Sequence, residues 1–259
     1  MDSKTDDHPT QTIRRLQAAL EMIATVLVIV ASTAVIMLTL WTWRQNGQAV
    51  PQPKQTTGPI VPEAPQPVDG AAVTGNPSAQ VAMIEYSDFQ CPYCGVFSRD
   101  TWPAIRKEYV ESGKVLVAFR HLPMPMHQYA RSAALSADCA RRQGRFWQIH
   151  DLLFRRQTEL DGSTGSALAY SLGLDRAAFD ECVRRDSEQT VDRDQNVADA
   201  LGISATPTFL IGILQDGRTV KVAHVLVGAQ PFGRFKAMLD EMIQTRATES
   251  ASWRRLLRR

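Results

Sequence analysis

Two cysteines separated by two residues, Cys91-Pro92-Tyr93-Cys94, stand between an apolar run and a helix-like stretch, and nothing else in the chain constrains its fold so strongly. The run Val81-Ala82-Met83-Ile84-Glu85-Tyr86 ahead of them reads as a buried strand. Residues 94–111 carry Phe97, Trp102, Ile105 and Val110 at helical spacing and read as a helix ended by Gly113. A thiol at a helix start meets the unpaired first-turn N–H groups and the positive end of the helix dipole. Both stabilise the thiolate, which is the species that attacks a disulfide. The spacing therefore points to dithiol exchange, with Cys91 as the attacking thiol and Cys94, one turn inside, as the resolving one. The competing reading is half a zinc site completed by Cys139 and Cys182. It fits poorly, because metal ligands usually come as two close pairs and these two cysteines lie far from each other and from the motif. Neither a metal nor a bound cofactor is expected.

The chain has 259 residues, enough for one good-sized domain with appendages, and a formal net charge of +2. That balance, without a basic stripe or nucleic-acid motif, excludes a nucleic-acid partner. Residues 22–43 hold no charged group and are rich in Val, Ile, Leu, Met and Ala, between Glu21 and Arg44. At about 1.5 Å per residue such a run spans a hydrocarbon core of about 30 Å, which predicts an N-terminal transmembrane helix in contact with membrane lipid. A cleavable signal peptide is the alternative, with Gly47-Gln48-Ala49 as its cleavage site, but the run exceeds the usual apolar core of ~7–15 residues. Trp41 and Trp43 also sit where interfacial anchors would. Residues 1–21 then form a short cytoplasmic tail. The charge bias across the run is weak, and the cysteines place the bulk of the chain outside the cytoplasm, in a periplasm or at the cell exterior. Residues 44–79 include Pro51, Pro53, Pro59, Pro62, Pro65, Pro67 and Pro77 and read as a semi-extended tether.

A second strand at residues 115–119 completes a parallel βαβ unit. Helical patterns follow at 129–142, 146–155, 167–172, 176–185 and 188–201, then strands at 208–213 and 220–227 around Gln215-Asp216-Gly217, and a last helix from Pro231. This order describes an α/β domain over residues 80–247, a thioredoxin-type sheet with a helical insertion at about 127–202, followed by a basic tail at 248–259.

Four segments carry a more specific likeness: Asp88-Phe89-Gln90-Cys91-Pro92-Tyr93-Cys94, Phe119-Arg120-His121-Leu122-Pro123, Gln143-Gly144-Arg145-Phe146-Trp147 with His150-Asp151, and Ala205-Thr206-Pro207-Thr208-Phe209. Together they resemble the DsbA-like thiol:disulfide oxidoreductases, in particular their membrane-anchored bacterial branch. The resemblance implies that Pro207 is cis and lies against the dithiol, and that Pro92, Tyr93, Thr206 and Pro207 meet the substrate; a trans proline in a turn is the plainer reading. It also implies that Glu85, desolvated within its strand, takes a proton from Cys94, against the plain alternative of a strand-end carboxylate reaching solvent. Related chains often carry cysteines near Cys139 and Cys182, which form a structural disulfide or remain two inert buried thiols. His121, His127 and His150 receive no role. The expected partners are cysteine-containing secreted or envelope proteins and a membrane redox protein, either a quinone-linked reoxidase or an electron donor. Oxidation is favoured over reduction or isomerisation, although Pro92-Tyr93 also occurs in glutaredoxins and Thr206 resembles the isomerases. A non-catalytic thioredoxin-like binding module is the reading from another class.

Overall fold

The structure is a computed structural model that describes residues 22, 27, 30, 32–39, 61–185 and 187–256. The chain forms two compact units, Met1–Gly58 and Pro59–Arg259. The second contains a six-stranded sheet of β1 (Gln66–Pro67), β2 (Ala72–Thr74), β3 (Val81–Ser87), β4 (Val115–His121), β5 (Thr208–Gln215) and β6 (Thr219–Val227), in the order β1-β6-β5-β3-β4-β2. Strands β3 and β4 are parallel, and the other pairs are antiparallel.

Every residue of β3 and β4 is buried because helices or strand-borne side chains cover both faces. Along β3 the odd positions Val81 and Met83 pack with Phe97, Trp102, Ile105, Tyr109, Phe235 and Leu239. The even positions Ala82, Ile84 and Tyr86 pack on the other face with Leu116, Ala118, Leu210, Val220 and Ile203. The first face is covered by α1 (Pro92–Asp100), by α2 (Trp102–Ile105), which widens into a π-type turn at Arg106–Val110, and by α8 (Phe232–Leu256). The helix expected over 94–111 is thus interrupted at Thr101, where Pro103 cannot supply an N–H to continue the ladder.

Between β4 and β5 lie α3 (Ala130–Arg142), α4 (Phe146–Arg155), α5 (Thr164–Ser171), α6 (Arg176–Arg185) and α7 (Ser187–Ala200). Their core includes Ala133, Ala137, Ile149, Leu153, Leu168 and Phe179, and it is continuous with Phe89, Cys91 and Cys94. A disulfide joins Cys139 of α3 to Cys182 of α6, with sulfurs 2.08 Å and Cα atoms 5.7 Å apart. The inserted helices therefore share one core with the dithiol.

Two sequence expectations change. Within the stretch read as tether, Gln66–Pro67 and Ala72–Thr74 are the outermost strands of the sheet, and Val68, Ala72 and Ala79 are buried. Pro67 is tolerated there because an edge strand leaves one side of its backbone unpaired. The transmembrane anchor over 22–43 is not upheld. A span needs about 20 consecutive apolar helical residues, and among the described residues no helix is long and apolar enough to cross a membrane. Residues 22, 27, 30 and 32–39 are helical, while the other positions of that run lie outside the described residues. The lipid contact and the single-pass topology rested on that anchor and fall with it, and the extracytoplasmic placement, argued from the cysteines as the far side of that membrane span, is not upheld either.

Candidate active site

Cys91 occupies the residue immediately before α1, in an extended conformation (φ −67°, ψ 121°), with Pro92 opening the helix. Proline suits this place, since its missing N–H would have no helical partner and its fixed φ is already helical. The Cys91 carbonyl accepts the first helical hydrogen bond, from Gly95 N–H at 3.1 Å. In the thiol form Cys91 Sγ donates to the Thr206 carbonyl at 3.2 Å. The Thr206–Pro207 peptide is cis. Cys94 is fully buried one turn further on, and the Asp88 N–H points at its sulfur from 3.5 Å. Both thiols are free.

The two sulfurs experience opposite environments. Hydrogen bonding from the Cys94 thiol lowers the Cys91 pKa most; burial opposes it, and the Thr206 side chain and the N–H groups of Cys94 and Tyr93 help bring it down to about 5 from the ordinary 9.0. Cys94 is pushed well above its ordinary value, first by burial and then by the neighbouring Cys91 sulfur. Near neutral pH one member is therefore a thiolate and the other a thiol. Glu85 sits within β3, paired across to Phe119 on β4 and Phe209 on β5, and is 2% exposed. Burial raises its pKa to about 8, with the Ser87 hydroxyl pulling the other way.

Two residues hold the loop that carries Cys91. Asp88 accepts hydrogen bonds from Gln90 N–H at 2.7 Å and Met124 N–H at 2.8 Å, and its Oδ2 lies 2.6 Å from His127 Nδ1. Gln157, between α4 and α5, donates its amide to the carbonyls of Phe89 (2.8 Å) and Cys91 (2.9 Å). A Cβ on Gly95 would come within 2.2 Å of Gln157 Oε1, so the position after Cys94 must remain bare for this contact.

Cys91, Cys94, Thr206 and Pro207 thus converge where β3 runs into α1 and faces the start of β5, and Glu85 lies within β3 in register with Phe209, two residues after Pro207. Pro92 and Tyr93 are exposed on the first turn of α1, Tyr93 by 66%. Cys139 and Cys182 belong to the inserted helices. The loop contacts of Asp88, His127 and Gln157 were not read from the sequence. Asp88 was visible within the motif segment. Gln157 had no signal, because its partners lie 66 and 68 residues away in the chain.

The family model described as Thioredoxin matches residues 68–225, more than half of the chain. The chain belongs to the thioredoxin family. Among solved structures, this thioredoxin-family protein is similar to Wolbachia pipientis alpha-DsbA1 (25% identity, TM-score 0.63, covering 71% of this chain and 96% of that one). BdbD from Bacillus subtilis is 25% identical with a TM-score of 0.57, covering 69% and 96%. Pseudomonas aeruginosa DsbA2 is 27% identical with a TM-score of 0.51, covering 66% and 93%. Curated relatives include the Na(+)/H(+) antiporter NhaA 3 of Salinispora tropica, 39% identical over 141 residues, which cover 54% of this chain and 21% of the antiporter. The Na(+)/H(+) antiporter NhaA of Herminiimonas arsenicoxydans is 32% identical over 169 residues, covering 64% and 25%. The chain spans about a fifth to a quarter of the length of these relatives, and ion exchange is a property named for them.

Fold and dithiol together make this chain a protein thiol:disulfide oxidoreductase. The likeness is to DsbA-type and thioredoxin-family proteins at large. The narrower assignment to a membrane-anchored branch, and with it a membrane-linked redox partner, is withdrawn because among the described residues no helix can span a bilayer.

Proposed function

We propose that this thioredoxin-family chain is a DsbA-like enzyme that exchanges disulfides with cysteine-containing proteins, with Cys91 forming the mixed disulfide and Cys94 resolving it. The observation that carries this reading is a pair of free thiols one helical turn apart, Cys91 at the residue before α1 facing the Thr206 carbonyl and Cys94 buried behind it; their opposed ionisation agrees with it. Cys91 is the better leaving group and the sulfur available as thiolate; Cys94 remains a thiol until its proton is removed. The Thr206 carbonyl faces Cys91 Sγ, so backbone at Thr206-Pro207 meets the chain bonded to that sulfur, while Pro92 and Tyr93 flank it. Two exposed apolar side chains, Tyr93 on the first turn of α1 and Met126 two residues past Met124, whose N–H donates to Asp88, suit a protein substrate. Glu85 is the nearby acid that takes up or returns the Cys94 proton.

The direction follows from the same asymmetry. Stabilising the Cys91 thiolate stabilises the reduced enzyme, which makes the Cys91–Cys94 disulfide readily given away. We assign the chain the disulfide-donor role. The test is refolding of reduced, denatured ribonuclease by stoichiometric oxidised protein. Activity should appear with the parent, vanish in Cys91→Ser, and give way to trapped mixed disulfides with substrate in Cys94→Ser. Ribonuclease recovery with Cys91→Ser equal to the parent's would overturn the reading.

A further inference from the structure

Ser87 is buried, 2% exposed, and its hydroxyl oxygen has no fixed hydrogen-bond partner. A buried, unlocked hydroxyl costs stability unless something uses it. It stands two residues after Glu85 on β3, so both side chains project to the same face of the sheet. That face also carries Val81 and Met83, which pack against Phe97 of α1, one turn beyond Cys94. The Cys94 sulfur reaches the end of the same strand, since the N–H of the next residue, Asp88, points at it. The Ser87 hydroxyl bears on both neighbours, favouring the charged form of Glu85 and of Cys94. Across β4 its register partner is His121, which burial holds below the ordinary 6.5 and therefore neutral at physiological pH.

We propose that Ser87 relays the proton between Cys94 and Glu85, because it shares a face of β3 with Glu85 and directly precedes Asp88, whose N–H meets the Cys94 sulfur. The proposal rests on the oxidoreductase reading and adds a residue to it. In resolution the Cys94 thiol gives its proton to Ser87 Oγ as the Ser87 hydroxyl proton passes to the Glu85 carboxylate. The Cys94 sulfur then bonds to Cys91 Sγ, the bond from Cys91 Sγ to the partner sulfur breaks, and the partner leaves as a thiolate that takes a proton from water. When an outside thiolate opens the Cys91–Cys94 disulfide, the same proton runs in reverse, from protonated Glu85 through Ser87 to the departing Cys94 sulfur. Ser87 never bonds to substrate.

The experiment mixes reduced full-length protein with glutathione disulfide, quenches with acid at intervals, and separates the Cys91–glutathione adduct from the closed Cys91–Cys94 disulfide by mass. In Ser87→Ala, adduct formation should proceed at the parent rate. Closure should slow by about a hundredfold, the low end of what a positioned proton carrier supplies, with its pH profile displaced to higher pH. Ser87→Thr should restore most of the rate, whereas Ser87→Val, equal in shape to Thr but lacking the hydroxyl, should not. In a Glu85→Gln background, Ser87→Ala should add little further slowing, since the relay has already lost its far end. Closure at the parent rate and pH profile in Ser87→Ala, a Thr variant as slow as the Val variant, or effects of Ser87→Ala and Glu85→Gln that simply multiply would each overturn the relay alone. A parent protein that forms no Cys91–glutathione adduct would remove the oxidoreductase reading, and the relay with it.

Discussion

The Gln157 side-chain amide donates to the Cys91 carbonyl at 2.9 Å, so a residue of the helical insertion holds the backbone of the attacking cysteine. The same amide also reaches the Phe89 carbonyl at 2.8 Å, making Gln157 a clamp on both sides of Gln90. Gln157→Ala frees two carbonyls, each lost bond worth about 0.5–1.5 kcal/mol net. The expected outcome is about 1–3 kcal/mol lower stability in urea and slower alkylation of Cys91. Gly95→Ala, which drives a methyl into Gln157 Oε1, should reproduce both effects. If the double variant is no worse than either single one, the shared mechanism stands; additive losses refute it.

Titration of Cys91 should give a midpoint near 5, followed as the pH dependence of iodoacetamide labelling with quantification by mass. Cys94 is the largest support of that thiolate, so Cys94→Ala should move the midpoint upward. No movement would mean that the backbone N–H groups of the first helical turn do the work instead.

The same ionisation couples redox state to stability. The folded thiol loses its proton at about 5 and the unfolded one near 9.0, so between those values the unfolded chain binds more protons and stability rises with pH. The contribution is complete above the unfolded value and disappears as pH falls through the folded one. The oxidised protein has no Cys91 thiol to titrate. Urea midpoints of the reduced minus the oxidised form should therefore grow from pH 5 to pH 8, and a flat difference would contradict the assignment.

Glu85 acts with the opposite sign. Its folded pKa of about 8 exceeds the ordinary 4.5, so the folded state holds the extra proton and stability falls as pH rises through that window. Glu85→Gln removes the buried acid. Relative to the parent, the variant should gain stability between pH 5 and pH 8 while closing its disulfide more slowly. A stability difference independent of pH would place the Glu85 carboxyl in water.

The Cys139–Cys182 bridge closes a loop with a sequence separation of 43 residues, which on chain-entropy grounds stabilises the fold by about 4 kcal/mol. Replacing both cysteines by alanine should lower urea stability by about 2–4 kcal/mol. Adduct formation at Cys91 should be unchanged, because the bridge ties α3 to α6 and does not touch the dithiol loop. A matching loss of exchange rate would show that the insertion transmits strain to the site.

The strand Val81–Ser87 and the thiol at the head of α1 were readable because each depends on a local pattern: an apolar run, then cysteines spaced by one helical turn. The interruption at Thr101 depended on Pro103, which was visible but outweighed by the helical spacing of Phe97, Trp102 and Ile105. Gln157 was illegible for another reason. Its importance comes from contacts made by the fold, to carbonyls 66 and 68 residues away, and the relay proposed for Ser87 likewise depends on the fold bringing the Cys94 sulfur to the Asp88 N–H at the end of β3. The apolar run at 22–43 shows the converse, since composition alone proposed an element for which no sufficient helix stands among the described residues.

The segment before β3 touches both margins of the sheet. Gln66 and Pro67 pair with Val220 and Thr219 on β6, and a few residues later Ala72, Val73 and Thr74 pair with Phe119, Ala118 and Val117 on β4. Arg120, ion-paired with Asp194 at 2.7 Å, also reaches the carbonyls of Pro67 and Asp69. Anyone excising a catalytic fragment by composition would cut near residue 80 and discard both outer strands along with the acceptors of a buried arginine. The smallest fragment with an intact sheet begins no later than Gln66, inside what looks from its prolines like dispensable spacer.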